Sequence, residues 1–241
     1  MKPFLILETG TPIPRLRRHG SFGHWIRVAA GLHGRQVRHC RVLDGEALPE
    51  PGEHAGVLVT GSGAMVTERL DWSERSAQWL RRAADAGTPL FGICYGHQLL
   101  AHALGGQVDY NPRGREMGTV PVELDAAAGH DALFSGLGTR FDAHTTHLQT
   151  VTAPPPGATV LARSERDDCQ AFRWGDSVWG VQFHPEFSTG MMRGYIQARS
   201  EALANEGTCH QGLLRAVKPA PLARRVLRRF IHVAHQRHGK G

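Results

Sequence analysis

The sequence predicts an α/β fold, a doubly wound, mainly parallel sheet flanked by helices, with a small β-rich insertion. Two observations lead there. Short apolar runs alternate with helix-period segments along the first hundred residues, the βαβαβα order that builds parallel sheets with crossover helices on both faces. One strand-to-helix junction, Gly92-Ile93-Cys94-Tyr95-Gly96, sets a cysteine between two glycines, the form of a turn too tight for flanking side chains.

The elements follow in order. Phe4-Leu5-Ile6-Leu7 is an apolar stretch that turns polar at Glu8, which suits a first buried strand. It is too short for a signal or membrane segment, so a cytoplasmic location is expected. Arg15-Leu16-Arg17-Arg18-His19-Gly20 is a basic stretch in a long first loop, either a solvated segment or a face for an acidic partner, and the sequence does not decide between them. A helix over His24 to His33 and a strand over Gln36 to Val42 come next, then a strand over Gly56 to Thr60. Asp71-Trp72-Ser73-Glu74 has capping-box spacing and predicts a helix opening at an aspartate cap. Pro89 to Ile93 is the strand that delivers Cys94 to a helix over His97 to Leu104.

From about Gly118 to Phe183 short alternating strands take over, Thr119 to Leu124 and Thr159 to Leu161 among them. Pro154-Pro155-Pro156-Gly157 marks a surface turn between two of them. Val178, Trp179, Val181 and Phe183 read as a short buried strand broken by Gly180. Residues 191–241 look helical. In Ala223 to Ile231 apolar and basic pairs alternate at helical spacing, which predicts that the arginines form a solvated face. One domain over 1–241 is the expected organisation, with its motif-bearing core at about 55–190.

Composition excludes several function classes. The net charge of +6 invites nucleic acid, yet the excess sits largely in Lys218 to Lys240 with no recognition module beside it, so no nucleic-acid or membrane partner is expected. Cys40, Cys94, Cys169 and Cys209 are scattered without a C-x-x-C pair, which indicates neither a zinc site nor a disulfide framework. Cys40, Cys169 and Cys209 read as ordinary thiols. Among fifteen histidines, His144 and His147 have the spacing of a metal pair, but no third ligand follows, and His97 and His102 read as packing or surface residues. Neither metal nor cofactor is expected.

The chemistry gathers around Cys94. A helix beginning beneath its sulfur favours thiolate over thiol through unpaired amides and the macrodipole. A thiolate that attacks an amide needs a proton shuttle, and His184 supplies one at the carboxyl end of the strand near residue 181. Pro185 biases His184 toward extended backbone, so the side chains of His184 and Glu186 should leave on one side, and Glu186 would orient the imidazole.

Gly92 to Gln98, Leu104-Gly105-Gly106 and Val181-Gln182-Phe183-His184-Pro185-Glu186-Phe187 resemble the class I, triad-type glutamine amidotransferases, and above all the glutaminase domain of GMP synthase and its stand-alone relatives. The resemblance implies the flavodoxin-like fold of that family and a triad of Cys94, His184 and Glu186. It also implies backbone oxyanion donors at Gly61 or Ser62, in a Gly-Ser-Gly loop where Gly-Gly-Pro is usual, and at Tyr95. Gln98, His147 and Leu148 would line the pocket for the substrate glutamine, with Gln149 where an acidic residue is common. Three functions follow. The first is a glutaminase that releases ammonia to a separate synthetase, since no ATP-pyrophosphatase or P-loop motif is present. The second is a hydrolase of γ-glutamyl peptides or conjugates, and the third an inactive interaction subunit.

Overall fold

The computed structural model describes residues 2–238. Met1 and 239–241, including Lys240 of the basic segment and both ends of the expected 1–241 unit, lie outside the described residues. The chain opens with β1 (Phe4–Glu8), α1 (Phe22–Ala30), β2 (Val37–Arg41), β3 (Val57–Val59), α2 (Asp71–Asp85), β4 (Leu90–Ile93) and α3 (Tyr95–Ala103). Six strands follow without a long helix between them: β5 (Gln107–Tyr110), β6 (Glu116–Leu124), β7 (Arg140–His147), β8 (Gln149–Ala153), β9 (Ala158–Arg163) and β10 (Ala171–Trp174). After β11 (Val178–Val181) the chain is helical through α4 (Thr189–Ala198), α5 (Ser200–Asn205), α6 (His210–Ala216) and α7 (Pro221–His238).

Among the described residues one sheet runs β2-β1-β3-β4-β11-β10-β9-β6-β7. Its first half, β2 to β11, pairs in parallel throughout. Its second half is antiparallel, and no long helix crosses between β6, β7, β9 and β10. The β-rich segment therefore extends the main sheet, and only β5 and β8 pair apart from it.

Strand alternation divides the core in two. Phe4, Ile6, Phe91, Trp179 and Val181 face α1 and α7 with Ile26, Leu227 and Phe230. Leu5, Leu7, Val57, Val59 and Leu90 face α2 and α3 with Trp79, Leu80, Leu99 and Leu100. Burying each such side chain contributes about 1.5–3 kcal/mol. A third cluster joins Leu16, Trp25, Phe187, Tyr195 and Leu203, and so docks the early loop and α4–α5 beside the ends of the central strands.

Two expectations are corrected. Leu70, not Asp71, is the cap of α2 and makes no side-chain bond; Asp71 stands in the first turn, where its charge complements the helix dipole. With Leu70 as cap, Ser73 holds the third helical position, so Glu74 falls one residue past the box and its carboxylate bonds His102 and Arg69 instead. The arginines of α7 are more than a solvated face: Arg228 donates to Ala29 O at 3.0 Å and Arg229 to Leu133 O and Ser135 O at 2.9 and 2.6 Å. They satisfy carbonyls of neighbouring segments that an apolar helix face cannot.

Candidate active site

The turn after β4 is built by steric exclusion. A Cβ at Gly92 would lie 2.3 Å from Gly96 O, and one at Gly96 would lie 2.5 Å from Val59 O, so any side chain at either position collides with backbone. Cys94 between them adopts φ 52°, ψ −102°, a conformation L-residues rarely hold, at a cost of about 1–3 kcal/mol. The bond from Cys94 N to Val181 O at 2.8 Å fixes it to the adjacent strand. Cys94 is also the cap of α3, so the amides of that helix's first turn open beside its sulfur.

β11 ends at Val181, and the chain crosses the strand ends with Gln182 N bonded to Gln170 O and His184 N to His144 O, both at 2.8 Å. Pro185 also serves a turn. Phe187 N bonds His184 O at 3.3 Å, so Pro185-Glu186 occupy the centre of a turn, where the fixed φ of proline is pre-set. The side chains nonetheless meet, with His184 Nδ1 2.8 Å from Glu186 Oε1. The imidazole is stacked on Phe187 at 4.1 Å, and both members of the pair are buried.

With Nδ1 committed to Glu186, Nε2 has no other hydrogen-bond partner among the described residues and is the atom left for Cys94. Burial pushes the Cys94 thiol up, but the charge and hydrogen bonding of His184, with a contribution from His147, outweigh it and hold the thiol below its ordinary value. Burial likewise disfavours a charged His184, yet Glu186 and Cys94 hold its proton more tightly than an ordinary histidine would. Cys40 and Cys169 are buried with thiols pushed up, first by burial, and Cys209 is exposed without such a setting.

The Gly61-Ser62-Gly63 loop sits over this pair. A Cβ on Gly61 would be 3.3 Å from His184 Cε1 and 3.9 Å from Cys94 Cβ, so the loop backbone is in contact range of both. Its stiffness comes from behind: Thr9 N bonds Thr60 Oγ1 at 3.0 Å, the Thr9 hydroxyl donates to Thr60 O at 2.9 Å, and Gly10 packs so closely that a Cβ there would meet Ser62 Cα at 2.6 Å. Tyr95 turns its ring away to Ser73 and Trp72, leaving its backbone amide at the start of α3.

A small pocket of about 40 Å³ lies beside Cys94, lined by Ser62, Tyr95, Gln98, His147, Leu148 and Gln149 among others. Every residue expected on the substrate side is thus brought to one place. Gln98 is held from within: its Nε2 donates to Gln149 O at 2.7 Å and Gln182 Oε1 at 2.9 Å. Gln149 Nε2 donates to Thr67 Oγ1, while its Oε1 is buried without a partner among the described residues. The remaining histidines separate. Three residues apart on β7, His144 and His147 leave on opposite faces, one bonded to Thr119 and the other to Glu116. His97 packs against Gly180 and Phe172, and burial pulls it down to about 3.

Sequence reasoning missed Arg115, Glu116, Asp167 and Arg199. Arg115 and Arg199 line the pocket, Arg115 paired with Glu206 and Arg199 with its Nε buried and, among the described residues, unpartnered. Glu116 and Asp167 lie behind His147. None carries a local signal, because each reaches the pocket from a segment remote in sequence.

Comparison with known proteins completes the picture. The chain matches the family Glutamine amidotransferase class-I over residues 21–200. It is similar to the glutamine-hydrolyzing GMP synthase of Aeropyrum pernix, 39% identical over 142 residues that cover 59% of this chain and 25% of that protein. It is also similar to the gamma-glutamyl-L-1-hydroxyisopropylamide hydrolase of a Pseudomonas species, 32% identical over 164 residues, 65% of this chain and 55% of the relative. The chain thus spans from a quarter to just over half of these relatives. A glutamine amidotransferase from Thermotoga maritima has the same fold, with a TM-score of 0.77 at 21% identity over 98% of this chain and 99% of the other. A match over well over half of its length, carried on the doubly wound sheet just described, makes this chain a member of the class I glutamine amidotransferase family.

Proposed function

We propose that the chain is a glutaminase that hydrolyses the side-chain amide of L-glutamine and releases ammonia for a synthetase on another chain. The observation that carries this reading is the buried Cys94 beside His184, which is bonded through Nδ1 to Glu186 and whose Nε2 has no hydrogen-bond partner among the described residues. Cys94 Sγ attacks the carbonyl carbon, and the developing oxyanion is held by backbone amides of the Gly61-Ser62 loop and of Tyr95. His184 Nε2 passes its proton to the leaving nitrogen, which departs as ammonia. Water then adds to the thioester, giving its proton to His184 and its hydroxyl to the acyl carbon, and glutamate leaves with Cys94 restored.

A pocket of about 40 Å³ holds a group the size of a carboxamide, since one water needs roughly 10–15 Å³ on that scale. Gln149 Oε1, an unpartnered acceptor, fits the substrate α-ammonium, and the free Arg199 Nε fits the α-carboxylate. Gln98 acts by fixing Gln149 O, with Oε1 its only group left for a substrate. We further propose that the catalytic and helical segments form one domain. No helix among the described residues is long and apolar enough to cross a membrane.

One observation favours a second reading, hydrolysis of γ-glutamyl amides. Arg115, on the rim of the small pocket, also lines a neighbouring cavity of about 540 Å³ that has room for a bulkier leaving amine. Ammonia release from glutamine, measured beside hydrolysis of γ-glutamyl amides and dipeptides, decides between them. Glutamine turned over faster supports the glutaminase; γ-glutamyl amides turned over far faster replace it with the hydrolase.

A further inference from the structure

The second buried imidazole in the pocket wall differs from His184 in having no nitrogen to spare. His147 Nδ1 lies 2.9 Å from Gln149 O, a carbonyl that can only accept, and that oxygen also receives Gln98 Nε2 at 2.7 Å. Nε2 lies 3.0 Å from Glu116 Oε2. Two acceptors on two ring nitrogens require two protons, so the bonding pattern itself specifies an imidazolium.

Both oxygens of Glu116 are in turn engaged by donors. Gln170 Nε2 donates to Oε2 at 2.5 Å and the Ser164 hydroxyl to Oε1 at 2.5 Å, with Ser164 Oγ accepting from Asp167 N at 3.1 Å. The side chains of His147 and Glu116 are 1% and 3% exposed, so solvent screens little of the field between them. Asp167 Oδ2, 3.7 Å from His147 Nε2, is the other carboxylate facing the ring, and its Oδ1 is occupied by Thr150 Oγ1 and Cys169 N. From the pocket side the ring faces Cys94, and from α3 it faces His97, which burial keeps neutral.

We propose that Glu116 and His147 form a fixed ion pair whose positive end lines the pocket and holds Cys94 as a thiolate, with Glu116 acting through His147 as a positioning residue. The polarity follows from placement, since His147 lines the pocket and Glu116 stands behind it. The pull of His147 on the Cys94 thiol is in this direction, and Glu116 and Asp167 together outweigh the burial that disfavours a charged His147. The pair has a task His184 cannot perform. His184 gives its proton to the leaving nitrogen and loses its charge in mid-reaction, whereas His147, with both nitrogens bonded, keeps its charge through every step.

The inference rests on Cys94 being the nucleophile, and alkylation of that thiol tests the pair without requiring turnover. The rate of iodoacetamide labelling at Cys94, located by peptide mapping in the full chain, is followed against pH. In Glu116→Gln the midpoint should move upward, so that at a pH below it labelling slows about tenfold, the equivalent of one pKa unit. The acid limb of kcat/KM should move with it, and Glu116→Asp should restore part of the shift. A folded Glu116→Gln protein with an unmoved midpoint overturns the proposal, even if its melting temperature falls. Should Glu116→Gln fail to fold, His147→Gln removes the same charge and must raise the midpoint; an unchanged midpoint there overturns the proposal equally. If the wild-type thiol labels like an ordinary cysteine, both the nucleophile and the ion pair are lost. If it labels at low pH and shifts as stated while glutamine is not hydrolysed, the ion pair stands and the glutaminase reading falls.

Discussion

Two histidine–carboxylate pairs flank the pocket of Cys94, and they differ in what is left unbonded. His184 and Glu186 are two residues apart and share one bond of 2.8 Å, with Nε2 free. His147 and Glu116 are joined across β6 and β7, with both ring nitrogens engaged. A ring with a free nitrogen can move a proton; a ring bonded at both can only carry charge. Identical residue types therefore take different roles, decided by a single backbone carbonyl, that of Gln149.

The comparison breaks first, and by the largest margin, on substitution of the rings. His184→Gln should lower kcat on the order of 10⁴-fold with the fold retained, because both proton transfers pass through Nε2. His147→Gln should cost about tenfold on the acid limb and less than that at neutral pH, the effect of losing one supporting charge. Ammonia release from glutamine measures both. Equal losses would mean that His147 also transfers protons.

Glu186→Gln comes next. An amide can still bond Nδ1, but the charge that favours an imidazolium is gone, so kcat should fall on the order of 10²–10⁴-fold. A loss smaller than that of His147→Gln would reverse the assignment of the two pairs.

The pH profile sharpens the contrast. Activity needs Cys94 ionised, hence a pH above its lowered value, and His184 protonated, hence a pH below its raised value. kcat/KM for wild type should form a plateau through neutrality, flanked by an acid limb for the thiol and an alkaline limb for the imidazole. A rate still climbing toward pH of about 8.5, as for a free thiol, would show that neither pair holds the thiolate. In Glu116→Gln the acid limb alone should move upward and narrow the plateau.

The same contrast explains what was legible in the sequence. The Cys94 turn announces itself because its strain can be relieved only locally, by Gly92 and Gly96 two residues to either side. His184 and Glu186 are legible for a similar reason, since the turn that joins them is written in Pro185. The parallel half of the sheet was readable from alternating strands and helices. The antiparallel half was readable as strands but not as an extension of the same sheet, because hairpin strands leave no mark of which edge they join. Glu116, Asp167 and Arg199 were silent: each belongs to the pocket through tertiary placement, and a buried glutamate in a strand reads like any polar position of an alternating pattern. The basic face of α7 misled in the same way, since a carbonyl awaiting Arg228 or Arg229 lies far off in the chain.

The smallest expected effect separates the ion pair from the network around it. Ser164 donates to Glu116 Oε1 at 2.5 Å and receives Asp167 N at 3.1 Å, but it touches neither ring nitrogen of His147. Ser164→Ala leaves Glu116 Oε1, Asp167 N and Gln170 Nε2 each short of one partner, the last still bonded to Glu116 Oε2, a cost of about 1–3 kcal/mol. In a chain of this length that lowers the melting temperature by about 2–12 °C. His147 keeps both acceptors and its charge, so kcat/KM should stay within a few-fold of wild type and the labelling midpoint of Cys94 should hardly move. A Ser164→Ala protein that melts normally yet labels as slowly as Glu116→Gln would shift the source of the thiolate's support from the Glu116–His147 pair to the hydroxyl behind it.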